Sequence, residues 1–114
     1  MEPVLNQAKV DKLADEIGQE NVPVLLDIFL GELSSYIEHL SDDGATDVLE
    51  YLKEISHALK SSAASFGADA LCHLSTQIDT KVKTGAELDV EQSKHAMIAL
   101  LHETKQSYHS LLVN

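Results

Sequence analysis

Apolar residues recur at intervals of three and four along most of this 114-residue chain, and the pattern is interrupted at glycines and one acidic turn. That spacing puts apolar side chains on one face of a helix, which restricts the fold to amphipathic helices packed face to face. The glycines divide the pattern. A first helix is predicted from about Leu5 to Ile17, with Gly18 as its stop. Asn21 is placed to cap a second helix, with Pro23 in its first turn, where the missing N–H costs nothing. That helix runs to about Leu40 with Leu25, Phe29, Leu33, Ile37 and Leu40 inward, and Ser41-Asp42-Asp43-Gly44 forms a turn.

A third helix begins at Thr46 or Asp47, where Asp47 and Glu50 have the form of a capping box, and ends at Phe66-Gly67. A fourth covers about Ala68 to Lys83, with Leu71, Leu74, Ile78 and Val82 inward and Gly85 after it. A fifth, from about Asp89 to Leu112, turns Val90, Met97, Leu101, Tyr108 and Leu111 to one side. Two Phe, three Tyr and no Trp make the expected core aliphatic. The predicted fold is all-α: an antiparallel four-helix bundle with a short additional N-terminal helix, the whole of 1–114 being a single domain.

The third helix carries the residue that stands apart. On a wheel of about 100° per residue, Val48, Leu52, Ile55, Leu59, Ala63 and Phe66 share the core sector. His57 lies nearly opposite, facing water. Around it stand Lys53 and Glu54 on one side and Lys60 and Ser61 on the other, with Ala64 two turns on. A neutral imidazole is a nucleophile near neutral pH. A phosphoryl group on it would be partly neutralised by Lys60 and Lys53, through contacts that are individually weak at an exposed site. Ser61 and Ala64 leave the ring open to direct in-line transfer. By geometry alone, a lone exposed histidine between lysines is more often simply part of a solvated helix face.

The wider string decides between them. Ile55-Ser56-His57-Ala58-Leu59-Lys60-Ser61-Ser62-Ala63-Ala64-Ser65-Phe66-Gly67-Ala68 resembles the signature of histidine-containing phosphotransfer domains. That signature is His, any residue, Leu, Lys, Gly, Ser, a few small residues, then Gly-Ala. His57, Leu59, Lys60, Ser62, Gly67 and Ala68 match it, while Ser61 stands where glycine is usual and adds a hydroxymethyl group near the ring. The stretch from Asn21 to Gly31, with Gly67-Ala68, resembles the members that serve bacterial quorum sensing.

The resemblance implies a phosphocarrier. It would accept a phosphoryl group on His57 from the receiver-domain aspartate of a hybrid sensor kinase and pass it to an aspartate of a response regulator. Divalent metal would be supplied by the receiver domain, so no cofactor is expected on this chain. Glu54, Ser61, Ala64 and Gly67 would border the site. Val24 and Ile28 lie off the core stripe of the second helix and are candidate partner contacts, unless they pack under the first helix.

Other functions are weighed against the residues. A net charge of −11, with eight Lys and no Arg, disfavours nucleic acid. Glu54-x-x-His57 on a bundle helix has the form of half a di-iron site, but no second copy exists and this one points outward. His95, His102 and His109 recur every seven residues, about 10 Å apart, too far to share an ion. His39 and His73 show no ligand pattern. Cys72 is the only cysteine, so no internal disulfide forms, and it reads as a small filler beside the core.

A self-phosphorylating kinase would need a Gly-rich nucleotide segment, and Ala58 stands where such kinases carry an acid after their histidine. No apolar run reaches the ~20 residues of a membrane span, and the N-terminus has no signal-peptide form. A monomeric cytoplasmic protein is expected, with no membrane insertion. The alternative in another class is a non-catalytic helical adaptor that binds a signalling partner.

Overall fold

The computed structural model describes residues 2–42, 44 and 46–112. It holds five α-helices: α1 (Gln7–Ile17), α2 (Val22–Leu40), α3 (Val48–Phe66), α4 (Asp69–Thr84) and α5 (Val90–Leu112). One 3-10 turn, Gln19–Asn21, links the first two, and no strand occurs among the described residues. No helix among them is long and apolar enough to cross a membrane. The expected helices are all present, with ends displaced by one or two residues.

The caps differ from expectation. Asn6 caps α1, its side chain accepting from the Lys9 N–H at 3.4 Å. Asn21 does not cap α2 through its side chain; its amide donates to the Ile17 carbonyl at 2.6 Å and ties the 3-10 turn back to α1. The Asp47–Glu50 capping box does not form either. Asp47 lies 3.5 Å from His39 Nε2, and Glu50 lies 3.5 Å from Lys53 Nζ, so both carboxylates are engaged by side chains. In the turn after α2, the Gly44 N–H donates to Asp42 Oδ1 at 2.9 Å; Asp43 is outside the described residues.

α3 packs chiefly on α4 and α2 on α5, while α4 also meets α5, and α1 lies against α3 and α2. The buried face of α2 is Leu26, Phe29, Leu30, Leu33 and Leu40, so Leu25 and Ile37 are only half-buried. With apolar residues at 24–26 and 28–30, two adjacent stripes of this helix are equally apolar, and packing selects the one a residue further on. On α3, Leu52, Ile55, Leu59 and Ala63 are buried as the wheel predicts, together with Ser56. Val48 and Phe66 stand at the margin.

The few aromatic residues are concentrated. Phe29 stacks on Phe66 with ring centroids 4.5 Å apart and meets Tyr108 edge-on at 5.7 Å. Such pairs add about 0.5–1.5 kcal/mol beyond the area they bury. The core is therefore aliphatic along most of its length, with an aromatic knot where α2, α3 and α5 meet.

α3 and α4 are joined by Gly67 and Ala68 alone. Gly67 takes φ +83, in the left-handed region. Its carbonyl accepts the Asn6 N–H at 2.7 Å, and a Cβ on it would lie 2.7 Å from the Asn6 carbonyl oxygen. The segment before α1 is fastened at the same place: the Ala70 N–H donates to the Pro3 carbonyl, and Asp69 takes Asn6 Nδ2 and Lys9 Nζ, each at 2.8 Å.

The candidate phosphotransfer site

The site stands on α3 and α4, the two helices joined by the shortest connection. Ser56 on α3 and Ser75 on α4 are fully buried. Each lies one turn before a charged residue of the site, Lys60 and Asp79. Such small side chains leave room for two helices to approach closely. The Cys72 thiol on α4 donates to the Lys60 carbonyl on α3 at 3.5 Å; Cys72 is half-buried and serves at this seam.

The His57 side chain is 69% exposed. Its Nδ1 lies 3.6 Å from Oδ1 of Asp79, whose own side chain is only 8% exposed. The other carboxylate oxygen of Asp79 holds two ammonium groups, Lys60 Nζ at 2.7 Å and Lys83 Nζ at 2.9 Å. One carboxylate thus gathers two lysines and faces the imidazole. The hydrogen bonds from Lys60 and then Lys83 pull the Asp79 carboxyl down to about 2, so it is ionised at neutral pH. The same hydrogen bond raises the Lys60 ammonium, which stays charged.

The residues expected from sequence are distributed as follows. His57 and Lys60 are together. Lys53 is turned to Glu50 at 3.5 Å, with its charge still beside the ring's helix face. Glu54 and Ser61 are exposed on α3, and Ala64 is half-buried in a shallow groove between α3 and α1, with Lys9, Lys12, Leu13, Glu16 and Ser65. Gly67 is ten residues from His57, at the end of α3 against Asn6, and shapes the helix junction. Val24 and Ile28 do not pack under α1; they are 59% and 63% exposed, one turn apart on α2.

Asp79 and Lys83 are the site residues that the sequence reading missed. A signal for them existed. Asp79 follows Ile78 of the inward stripe, so an acid there must find a cation, and Lys83 lies four residues on. Among the described residues no three His, Cys, Asp or Glu side chains come together to hold a metal ion. The site is thus an exposed imidazole backed by a buried carboxylate and two lysines. That arrangement can accept a small, strongly anionic group from a second protein.

The known proteins similar to this chain are phosphotransfer and phosphorelay proteins. The family model for the Hpt domain matches residues 24–107. The phosphorelay protein LuxU of Vibrio vulnificus is 59% identical over 111 residues, covering 97% of this chain and 96% of its own. LuxU of Vibrio harveyi is 55% identical over 107 residues, 94% of each chain. LuxU of Vibrio cholerae is 53% identical over 108 residues, 95% of this chain and 96% of its own. Among solved structures, histidine-containing phosphotransfer protein B from Pseudomonas aeruginosa superposes with a TM-score of 0.79 over 96% of this chain and 95% of its own. At 16% identity it speaks to the fold alone.

Proposed function

The chain belongs to the Hpt domain family, and from that premise we propose that it is the histidine phosphotransfer protein of a multistep two-component phosphorelay serving quorum sensing. His57 accepts the phosphoryl group from a receiver-domain aspartate of a hybrid sensor kinase. It then passes the group to an aspartate of a response regulator resembling LuxO. Lys60 and Lys53 offset the charge of the bound phosphoryl group, Glu54, Ser61 and Ala64 border the approach, and Val24 and Ile28 contact the partner. The single observation that carries this reading is the exposed His57 ring beside a buried carboxylate. In-line transfer needs attacking and leaving atoms aligned at close range, and an exposed ring nitrogen permits that.

The remaining features follow the same reading. Helices α2–α5 form an antiparallel four-helix bundle with α1 laid across it, an arrangement favoured by the two-residue connection between α3 and α4. Residues 1–114 act as one domain, a cytoplasmic monomer. The protein is a phosphocarrier without ATP binding or autokinase activity. It needs no cofactor of its own, the divalent metal of the reaction belonging to the receiver domain.

The test is incubation with a phosphorylated receiver domain, following acid-labile, alkali-stable label on the wild type and on His57→Gln. Label on the wild type alone is the expected result. No label on either protein, with several receivers each shown to be phosphorylated, would overturn the reading and leave a non-catalytic helical adaptor.

A further inference from the structure

We propose that Ser61 is a phosphoryl-binding residue of this site: its hydroxyl donates to an oxygen of the phosphoryl group carried on His57, and so shifts the balance of transfer towards this chain. This rests on the phosphotransfer reading of His57 and adds to it a hydrogen-bond donor that the family signature, with glycine at this position, does not supply.

Four residues stand one turn from His57 along α3: Lys53, Glu54, Lys60 and Ser61. An ionised Glu54 can only accept hydrogen bonds. Both ammonium groups are already beside carboxylates. Lys53 Nζ lies 3.5 Å from Glu50 Oε1, and Lys60 Nζ lies 2.7 Å from Asp79 Oδ2. Ser61 differs from all three. It is exposed, and its hydroxyl has no hydrogen-bond partner among the described residues. The adjacent serine shows the alternative that Ser61 does not take: Ser62 Oγ donates back to the Ala58 carbonyl at 3.4 Å, the local bond open to a serine inside a helix. Ser61 is therefore the uncommitted side-chain donor within a turn of the ring.

Helix geometry turns that donor towards His57. Cα–Cβ bonds tilt to the helix N-terminus, so the Ser61 side chain leans over the preceding turn, which carries the histidine. Cβ atoms four residues apart on a helix are separated by about 5–6 Å. A phosphoryl group on the ring brings strong acceptor oxygens into that space. The hydroxymethyl group is short enough to stand beside them without covering a side chain that is 69% exposed.

The hydroxyl takes no part in the covalent step. As the N–P bond to the ring forms, the P–O bond of the partner's aspartyl phosphate breaks, and its electron pair leaves on that carboxylate. Ser61 keeps its own proton throughout. Its contribution grows as a receiver docks, because docking excludes the water that had solvated the phosphoryl oxygens, and a protein donor already in place satisfies one of them.

Three substitutions separate the hydroxyl from its bulk. Ser61→Ala removes the donor and keeps the Cβ; alanine is favoured in a helix, so circular dichroism should show α3 retained. Ser61→Thr restores a hydroxyl, and Ser61→Gly removes donor and Cβ together. The measurement is the ratio of label on this chain to label on a receiver domain at transfer equilibrium, with the 31P signal of phospho-His57 recorded at the same pH. Ser61→Ala and Ser61→Gly should each shift the ratio towards the receiver by about three- to tenfold, the range of one net hydrogen bond, and move the 31P signal. Ser61→Thr should stay near the wild type in both. An unchanged ratio and signal in Ser61→Ala would overturn the proposal and leave the phosphocarrier standing. A change in Ser61→Gly alone would also overturn it, since bulk and not the hydroxyl would then be what matters. If the wild type took no label at His57, the phosphotransfer reading itself would fail, and the proposal with it.

Discussion

The Tyr108 hydroxyl on α5 donates to the Phe66 carbonyl at the end of α3, at 2.6 Å and across 42 residues of sequence. Tyr108 is fully buried, and burial pushes its hydroxyl above the usual tyrosine range, so it remains a donor. The bond secures the last turn of the helix that carries His57. Tyr108→Phe leaves the ring in place and removes only the donor. It should lower stability by about 1–2 kcal/mol, the penalty for a buried carbonyl left unpaired. Urea unfolding should show this loss, with phosphoryl acceptance unchanged in the folded protein.

Gly67→Ala and Gly85→Ala form a matched pair. Both glycines adopt positive φ, +83 and +73, so each alanine carries roughly the 1–2 kcal/mol cost of the left-handed region. Only at Gly67 would the new methyl meet backbone, the Asn6 carbonyl oxygen at 2.7 Å; at Gly85 there is nothing within 4 Å. Gly67→Ala should therefore be clearly the more damaging in a thermal melt. Equal losses would mean that the chain before α1 is not held against the α3–α4 junction.

Lys60→Ala and Lys83→Ala should each slow acceptance from a phosphorylated receiver by about two- to fivefold, the size expected of one exposed charge contact. The fold should persist, because both ammonium groups lie at the rim of the site and Asp79 keeps the other lysine. Circular dichroism checks the fold, and the rate of labelling checks the effect. A variant at Lys83 as slow as one at Lys60 would put the α4 lysine on equal terms with the one in the sequence signature.

Stability should fall in acid because of Asp79 and Asp69. Both carboxyls are lowered from 3.8 in the folded protein, Asp79 to about 2 by Lys60 and Lys83, and Asp69 by Lys9 and Asn6. A lowered pKa contributes stability that is fully present above the unfolded value, and is lost as pH falls through the folded one. Urea midpoints should therefore drop as pH goes from about 4 towards about 2, and the drop should be shallower in Asp79→Asn.

Val24→Ser with Ile28→Ser should leave the melting temperature nearly unchanged, since surface substitutions of this kind cost within about 0.5 kcal/mol each. Titration calorimetry with a receiver domain should show weaker binding. Unchanged binding would remove this strip of α2 from the partner contact.

Much of the molecule is legible in sequence because its helices end at glycines whose backbone conformation is required. Gly18 and Gly67 mark their boundaries to the residue. Periodicity also puts His57 in water, because Leu52, Ile55, Leu59 and Ala63 admit only one core face. It fails on α2, where two neighbouring stripes are equally apolar and only packing against α5 chooses between them. Caps at Asn21 and Asp47 are misread for a different reason. Their side chains have competing partners, Ile17 and His39, that no local pattern announces. Asp79 was missed because its contact lies across a helix seam, 22 residues from His57.

His57, Lys60, Asp79 and Lys83 all belong to one helical hairpin turned by two residues, while the exposed apolar strip of Val24 and Ile28 belongs to another helix. Under the proposed function, the chemistry and the contact with the partner lie on separate pieces of chain. On that reading, a lineage that drifts along α2 retunes which receiver it recognises and leaves untouched the four side chains grouped around His57.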